Sequence, residues 1–169
     1  MTDVVKPDDG QMGGGFQIMD EAEYTLVFED GIRYTEDKVT GETTENLMFP
    51  MKDSQGDGKI AIFCPLDKDW GFVRLSNLIH FSGMDKVIEK DQKLPSLVDA
   101  GWGRKVLKSD KLLKILQVKM PNRVIGAEVK HTKSDGKTYA NVTKVWKAGD
   151  TPSPVTETSG DSESDEGWS

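Results

Sequence analysis

Cysteine is the scarcest reactive residue in this chain. Its 169 residues include one, Cys64, and only two histidines, His80 and His131. A single thiol excludes an intrachain disulfide framework and fits a reducing compartment. Within the apolar run AIFCPL, Cys64 reads as a buried, inert thiol. With two histidines beside it, no zinc-ligand spacing can be assembled. Long apolar runs are missing as well. No stretch approaches the roughly 18 residues of a membrane span, and the acidic N-terminus lacks a signal peptide's basic, apolar pattern. A soluble, cytoplasmic protein is therefore expected. Catalytic constellations are equally thin: no histidine pairs with the cysteine, no carboxylates stand at a defensible spacing, and no serine sits in a strained elbow. The chain is expected to act without catalysis, cofactor or metal.

Two glycine-bearing stretches resemble binding loops and fail as such. Gly13-Gly14-Gly15 has no strand before it and no GK[ST] after it, which a phosphate loop requires. Asp53-Ser54-Gln55-Gly56-Asp57-Gly58 opens like a calcium loop, but its twelfth position is Cys64. A bidentate Glu is needed there, and no helix flanks the segment, so a hairpin turn is predicted.

Charge is abundant and segregated. The net charge is −7, which taken alone argues against a polyanionic partner. Residues 1–58, however, hold four basic and fourteen acidic side chains, whereas residues 101–148 hold twelve basic and three acidic. Residues 149–169 carry six acids and no base. Such asymmetry predicts a basic binding region and an acidic tail.

Along the chain, residues 1–15 are polar and aperiodic and are expected to form a mobile arm. Glu23–Glu29 alternates as a strand and is expected to continue past a bend at Gly31 into Tyr34. Leu47–Lys52 is a second strand, placed at an edge or bulged because Pro50 cannot donate to a ladder. Lys59–Cys64 is a third. From Trp70 the period becomes helical through Phe72, Leu75, Leu78 and Ile79, with Gly83 as the residue past the helix end. Asp85–Ser109 reads as irregular. Ser109 or Asp110 caps a second helix carrying Leu112, Leu113 and Leu116, ended by Pro121.

The last element is the clearest. Asp135-Gly136 is a two-residue hairpin turn. Pairing outward from it sets Ser134 against Lys137, Thr132 against Tyr139, Val129 against Val142, and Ile125 against Trp146. Ile125, Ala127, Val129, His131, Ala140, Val142 and Trp146 then share an inner face. Glu128, Lys130, Thr132, Tyr139, Asn141 and Thr143 share an outer one. Five strands with a helix between the third and fourth make the plan of the OB fold, a small barrel that commonly binds oligonucleotides. The expected architecture is thus a mainly β, five-stranded OB barrel over residues 16–148, with a helical or irregular insertion before the last hairpin and a tail over 149–169.

Three stretches, DEAEYTLVFEDG, RLSNLIHFSGM and VIGAEVKHTKSDGKTYANVTKVW, together resemble phage and prophage single-stranded DNA-binding proteins. The resemblance covers roughly residues 16 to 148. It implies an OB fold and a non-catalytic role in DNA replication or recombination inside a bacterial host. Ala22 stands where that family commonly has glycine, and Asp85–Asn122 is longer than expected. Binders of this kind combine a basic groove with aromatic platforms on which bases stack. The candidate DNA-binding residues are the cations Lys59, Arg74, Arg104, Lys105, Lys108, Lys111, Lys114, Lys130, Lys133 and Lys137 and the aromatics Tyr34, Phe49, Phe63, Trp70, Trp102 and Tyr139, any of which could instead be core or solvated surface. Tyr139 leads because the hairpin register places it on the wet face.

The tail DSESDEGWS sets Asp161, Glu163, Asp165 and Glu166 just ahead of Trp168. This end resembles the tails with which single-stranded DNA-binding proteins recruit replication and repair enzymes, a resemblance that implies replication or recombination proteins as partners; acids would steer such a tail towards basic grooves and one aromatic would anchor it. No membrane partner is expected, and a homodimer is compatible with the sequence. The competing expectation is a small β-domain interaction module whose acidic half binds a basic partner and not DNA.

Overall fold

The computed structural model describes residues 4–8 and 19–149. The tail residues Asp161, Glu163, Asp165, Glu166 and Trp168 lie outside the described residues, as do residues 9–18. The protein is mainly β, with antiparallel ladders throughout.

The sheet is built on one long strand, β4 (Thr43–Asp53). On one side it pairs with β5 (Lys59–Pro65), from Asn46↔Pro65 to Lys52↔Lys59. On the other side it pairs first with β3 (Arg33–Glu36) and then with β2 (Ala22–Phe28). These two are the halves of a single bent strand, and the bend falls where Gly31 takes a φ of 100°. Pro50 sits where β4 changes partner. Its carbonyl accepts the Glu29 N–H at 2.9 Å, so its missing N–H faces the same bend, where no ladder needs it. Pro50 is therefore inside the sheet at a gap in one ladder, not at the sheet's edge. The 53–58 segment is the expected plain turn, with the Asp53 N–H donating to the Gly58 carbonyl at 2.8 Å.

Beyond β2 come β7 (Val124–Ser134) and β8 (Lys137–Lys147), giving the order β5–β4–β2/β3–β7–β8. β5 and β8, at its two ends, share no ladder, so the expected closed barrel is not formed. Helix α1 (Asp69–Phe81) packs against both of them. Its buried residues Phe72, Leu75, Leu78 and Ile79 cover the core where a closing ladder would otherwise run. Burying such a stripe is what makes a 13-residue helix stable. Gly83, with φ 81°, follows the C-cap Ser82 as expected.

The segment expected to be irregular contains α2 (Met84–Gln92), α3 (Leu97–Ala100), the two-residue strand β6 (Trp102–Gly103) and α4 (Arg104–Leu107). α2 buries only Met84, Asp85 and Ile88 of its nine residues, too sparse a stripe to stand out as a helical period. α5 (Asp110–Lys119) starts as expected, the Ser109 Oγ accepting the Leu112 N–H at 3.2 Å. The mobile arm expected over residues 1–15 is corrected in part. Val4–Val5 forms β1 and pairs with β6, burying Val5. Asp8 and the buried Asn77 exchange two hydrogen bonds of 2.9 and 2.8 Å.

The terminal hairpin keeps its register near the turn, with Ser134↔Lys137, Thr132↔Tyr139 and Val129↔Val142. Below this the ladder slips by one, because Glu128 pairs with Lys144 and leaves Thr143 as a bulge. The Thr143 hydroxyl donates to Glu128 Oε1 at 2.9 Å. Ile125 consequently faces Lys147, and Trp146 faces Gly126. Trp146 thus leaves the inner face expected for it, and Val145 takes that place opposite Ala127. A Cβ on Gly126 would stand 2.0 Å from the Trp146 indole nitrogen, so the ring lies flat over bare backbone.

Candidate nucleic-acid interface

The N-terminal end of α1 collects three of the expected residues. The helix is seated directly on the end of β5: a Cβ on Gly71 would stand 1.8 Å from the Pro65 carbonyl oxygen. One turn apart on this helix, Trp70 and Arg74 stack, with the guanidinium carbon 4.4 Å from the ring centroid. Arg74 also donates from Nη1 to the Phe63 carbonyl at 2.6 Å, which fixes its plane. Burial pulls the Arg74 guanidinium below its ordinary value, yet an arginine stays charged at such a site. Trp70 is 49% exposed and is the only aromatic among the exposed large apolar side chains of the described residues. A half-exposed indole braced by a cation is suited to stacking a planar base.

Beside it, Arg104 binds Asp69 at 2.6 Å and lies over Phe72, 5.0 Å from the ring centroid. The part played by Asp69 and Phe72 was not anticipated, although the Arg104 partners lie on the same helix turn as Trp70. Lys108 bonds Glu45, and Lys59 lies 3.7 Å from Glu29. Three expected DNA contacts are therefore already engaged by carboxylates. Surface pairs of this kind are weak and exchange readily. Lys105 is exposed.

The second group lies on the β7–β8 hairpin. Its outer face carries Lys130 opposite Asn141, Thr132 opposite Tyr139, and Lys137 opposite Ser134. Tyr139 is half-buried there, while Lys130 and Lys137 are exposed. Lys133, also exposed, faces the other way with Thr138.

One expected aromatic is not a platform. Phe49 is fully buried and packs edge-on against Phe28 with centroids 6.0 Å apart; it is a core residue and cannot reach a base in the folded protein. Its inward direction follows from its place on β4 between the buried Leu47 and Met51. Tyr34 pairs with Leu47 and is half-buried. Burial first, and then the nearby Asp110 and Glu45, hold its phenol above the ordinary value. Cys64 is the buried thiol expected: burial pushes it up to about 12, with the Arg74 charge only partly opposing. Among the described residues, no group of three or more His, Cys, Asp or Glu is arranged to hold a metal. No helix of the described residues is long and apolar enough to cross a membrane.

No protein-family model matches the chain, and no curated protein matches it significantly.

Proposed function

We propose that the protein binds single-stranded DNA without strong sequence preference and without catalysis, in phage replication or recombination. The observation that carries this reading is the exposed Trp70 stacked on Arg74 at the end of β5. The outer hairpin face, where Lys130 and Lys137 flank Tyr139, supplies cations beside a second aromatic. The order of the long strands, with α1 between the third and fourth, resembles that of an OB fold without its closing ladder, and this resemblance supports the reading further. Bases would stack on Trp70 and Tyr139 while lysines neutralise phosphates. Residues 161–169 would recruit replication or recombination proteins.

A second reading has one observation in its favour. Glu23, Tyr24, Thr25, Asp53, Gln55 and Trp146 line a surface depression of about 540 Å³. Carboxylates beside aromatic rings suit a basic side chain of a protein partner. Fluorescence polarisation of labelled oligo-dT and of a duplex, each across a salt series, separates the two. Single-strand binding should be tighter, and should fall steeply with salt as counterions are released. Equal or tighter duplex binding at the same salt overturns the proposal.

A further inference from the structure

A second cavity, of about 400 Å³, lies away from both groups, where α1 ends and α2 begins against the start of β7 and the end of β8. Its size is at the lower end of the range for small-molecule sites, roughly 300–1,000 Å³. That suits a nucleotide.

Three cations stand in its lining, in a protein of net charge −7. Arg123, Lys86 and Lys147 come from β7's approach, α2 and β8. Arg123 is held in place: Nη1 donates to the Ser82 carbonyl at 3.1 Å and Nε to the Lys119 carbonyl at 3.3 Å. Nη2 is left with no hydrogen bond among the described residues. Gly83 permits this approach, since a Cβ there would stand 3.3 Å from Nη1. Lys147 is exposed, and Lys86 reaches Glu89 at 3.6 Å while remaining 70% exposed. The one carboxylate in the lining, Asp85, is buried and accepts from His80 at 2.9 Å and from the Lys86 N–H at 2.9 Å. Its charge is thus turned towards partners in the wall. His80 and Phe81 add an aromatic wall, their ring centroids 4.7 Å apart.

Three cations around an aromatic wall fit one ligand chemistry, a phosphate attached to a planar base. We propose that this cavity is a nucleotide-phosphate site. It rests on the single-strand reading only for the choice of ligand.

The test titrates the full-length, ¹⁵N-labelled protein with dTMP, thymidine and inorganic phosphate to roughly 10 mM, a range that captures millimolar dissociation constants. dTMP should shift the amides of residues 81–86 and 122–124, and bind about tenfold or more tighter than thymidine. Lys147→Gln should weaken dTMP about three- to tenfold with unchanged thermal melting, and Arg123→Gln should weaken it further. Thymidine binding as tightly as dTMP overturns the phosphate assignment, and phosphate binding as tightly as dTMP overturns the nucleotide assignment. Shifts confined to residues outside the cavity overturn both. Oligo-dT affinity is read on the same samples: if it is intact while dTMP leaves the cavity untouched, this site falls and the single-strand reading stands. If dTMP fills the cavity while oligo-dT does not bind, the opposite holds.

Discussion

At the scale of single residues, position on the sheet separates binding from stability. Trp70→Ala removes a half-exposed ring whose other side rests on Arg74. It should weaken oligo-dT binding by about 1–3 kcal/mol and change folding stability by no more than about 0.5 kcal/mol. Tyr139→Ala should act in the same direction. Val142→Ala, on the buried inner face two positions before the bulge partner Lys144, should cost about 1–3 kcal/mol of stability instead. Polarisation titrations paired with urea denaturation check this, and exchanged phenotypes would refute the placement. Cys64 offers a pH test. Its folded value of about 12 stands above the ordinary 9.0, so the unfolded chain loses that proton first. Between those values the unfolded state binds fewer protons, and stability falls as pH rises. The contribution is whole below 9.0 and is lost towards 12. Cys64→Ala should flatten the fall in denaturation midpoint from about pH 9 upwards relative to the parent protein.

At the scale of elements, two glycines mark where neighbours touch through backbone. Gly71→Ala would drive a methyl group to 1.8 Å from the Pro65 oxygen, and backbone there cannot swing aside as a side chain can. α1 must then lift off the end of β5, at a cost of about 2 kcal/mol or more. Trp70 and Arg74 ride on the same turn, so oligo-dT affinity should fall together with stability. Gly126→Ala meets the Trp146 ring at 2.0 Å and should destabilise the base of the hairpin. The Tyr139 platform near its tip should keep its contribution to binding. Urea denaturation and polarisation on both variants distinguish the outcomes: affinity lost with Gly71→Ala, largely retained with Gly126→Ala.

At the scale of the whole molecule, charge segregation should govern how the proposed DNA binding responds to salt. Residues 101–148 hold twelve basic side chains, whereas residues 161–169 hold four acids and no base. Removing 161–169 should leave oligo-dT affinity unchanged or slightly higher at low salt, with the difference vanishing as ionic strength rises and screening shortens. Loss of DNA binding on truncation, measured across the same salt series, would refute this division of labour.

Period and turn chemistry were enough to place β2, β4, β5, α1, α5 and the last hairpin. Alternation, caps and an Asp-Gly turn act within a few residues, and local physics suffices for them. The inert thiol at Cys64 and the outer position of Tyr139 were legible for the same reason. What the sequence could not supply depended on partners distant along the chain. The bulge at Thr143 sent Trp146 to the other face because Glu128 and Gly126 lay opposite. Pro50 proved to be inside the sheet because the bend at Gly31 left its flank unladdered. Val4 and Val5 became a strand because Trp102 and Gly103 presented an edge. The cavity around Arg123 joins residues from four separate elements. Whether the barrel closed was likewise decided by packing, since α1 rests on β5 and β8 and leaves their edges unpaired with each other. Local preferences fixed which segments were strands and helices; only long-range contact determined which faces and edges met.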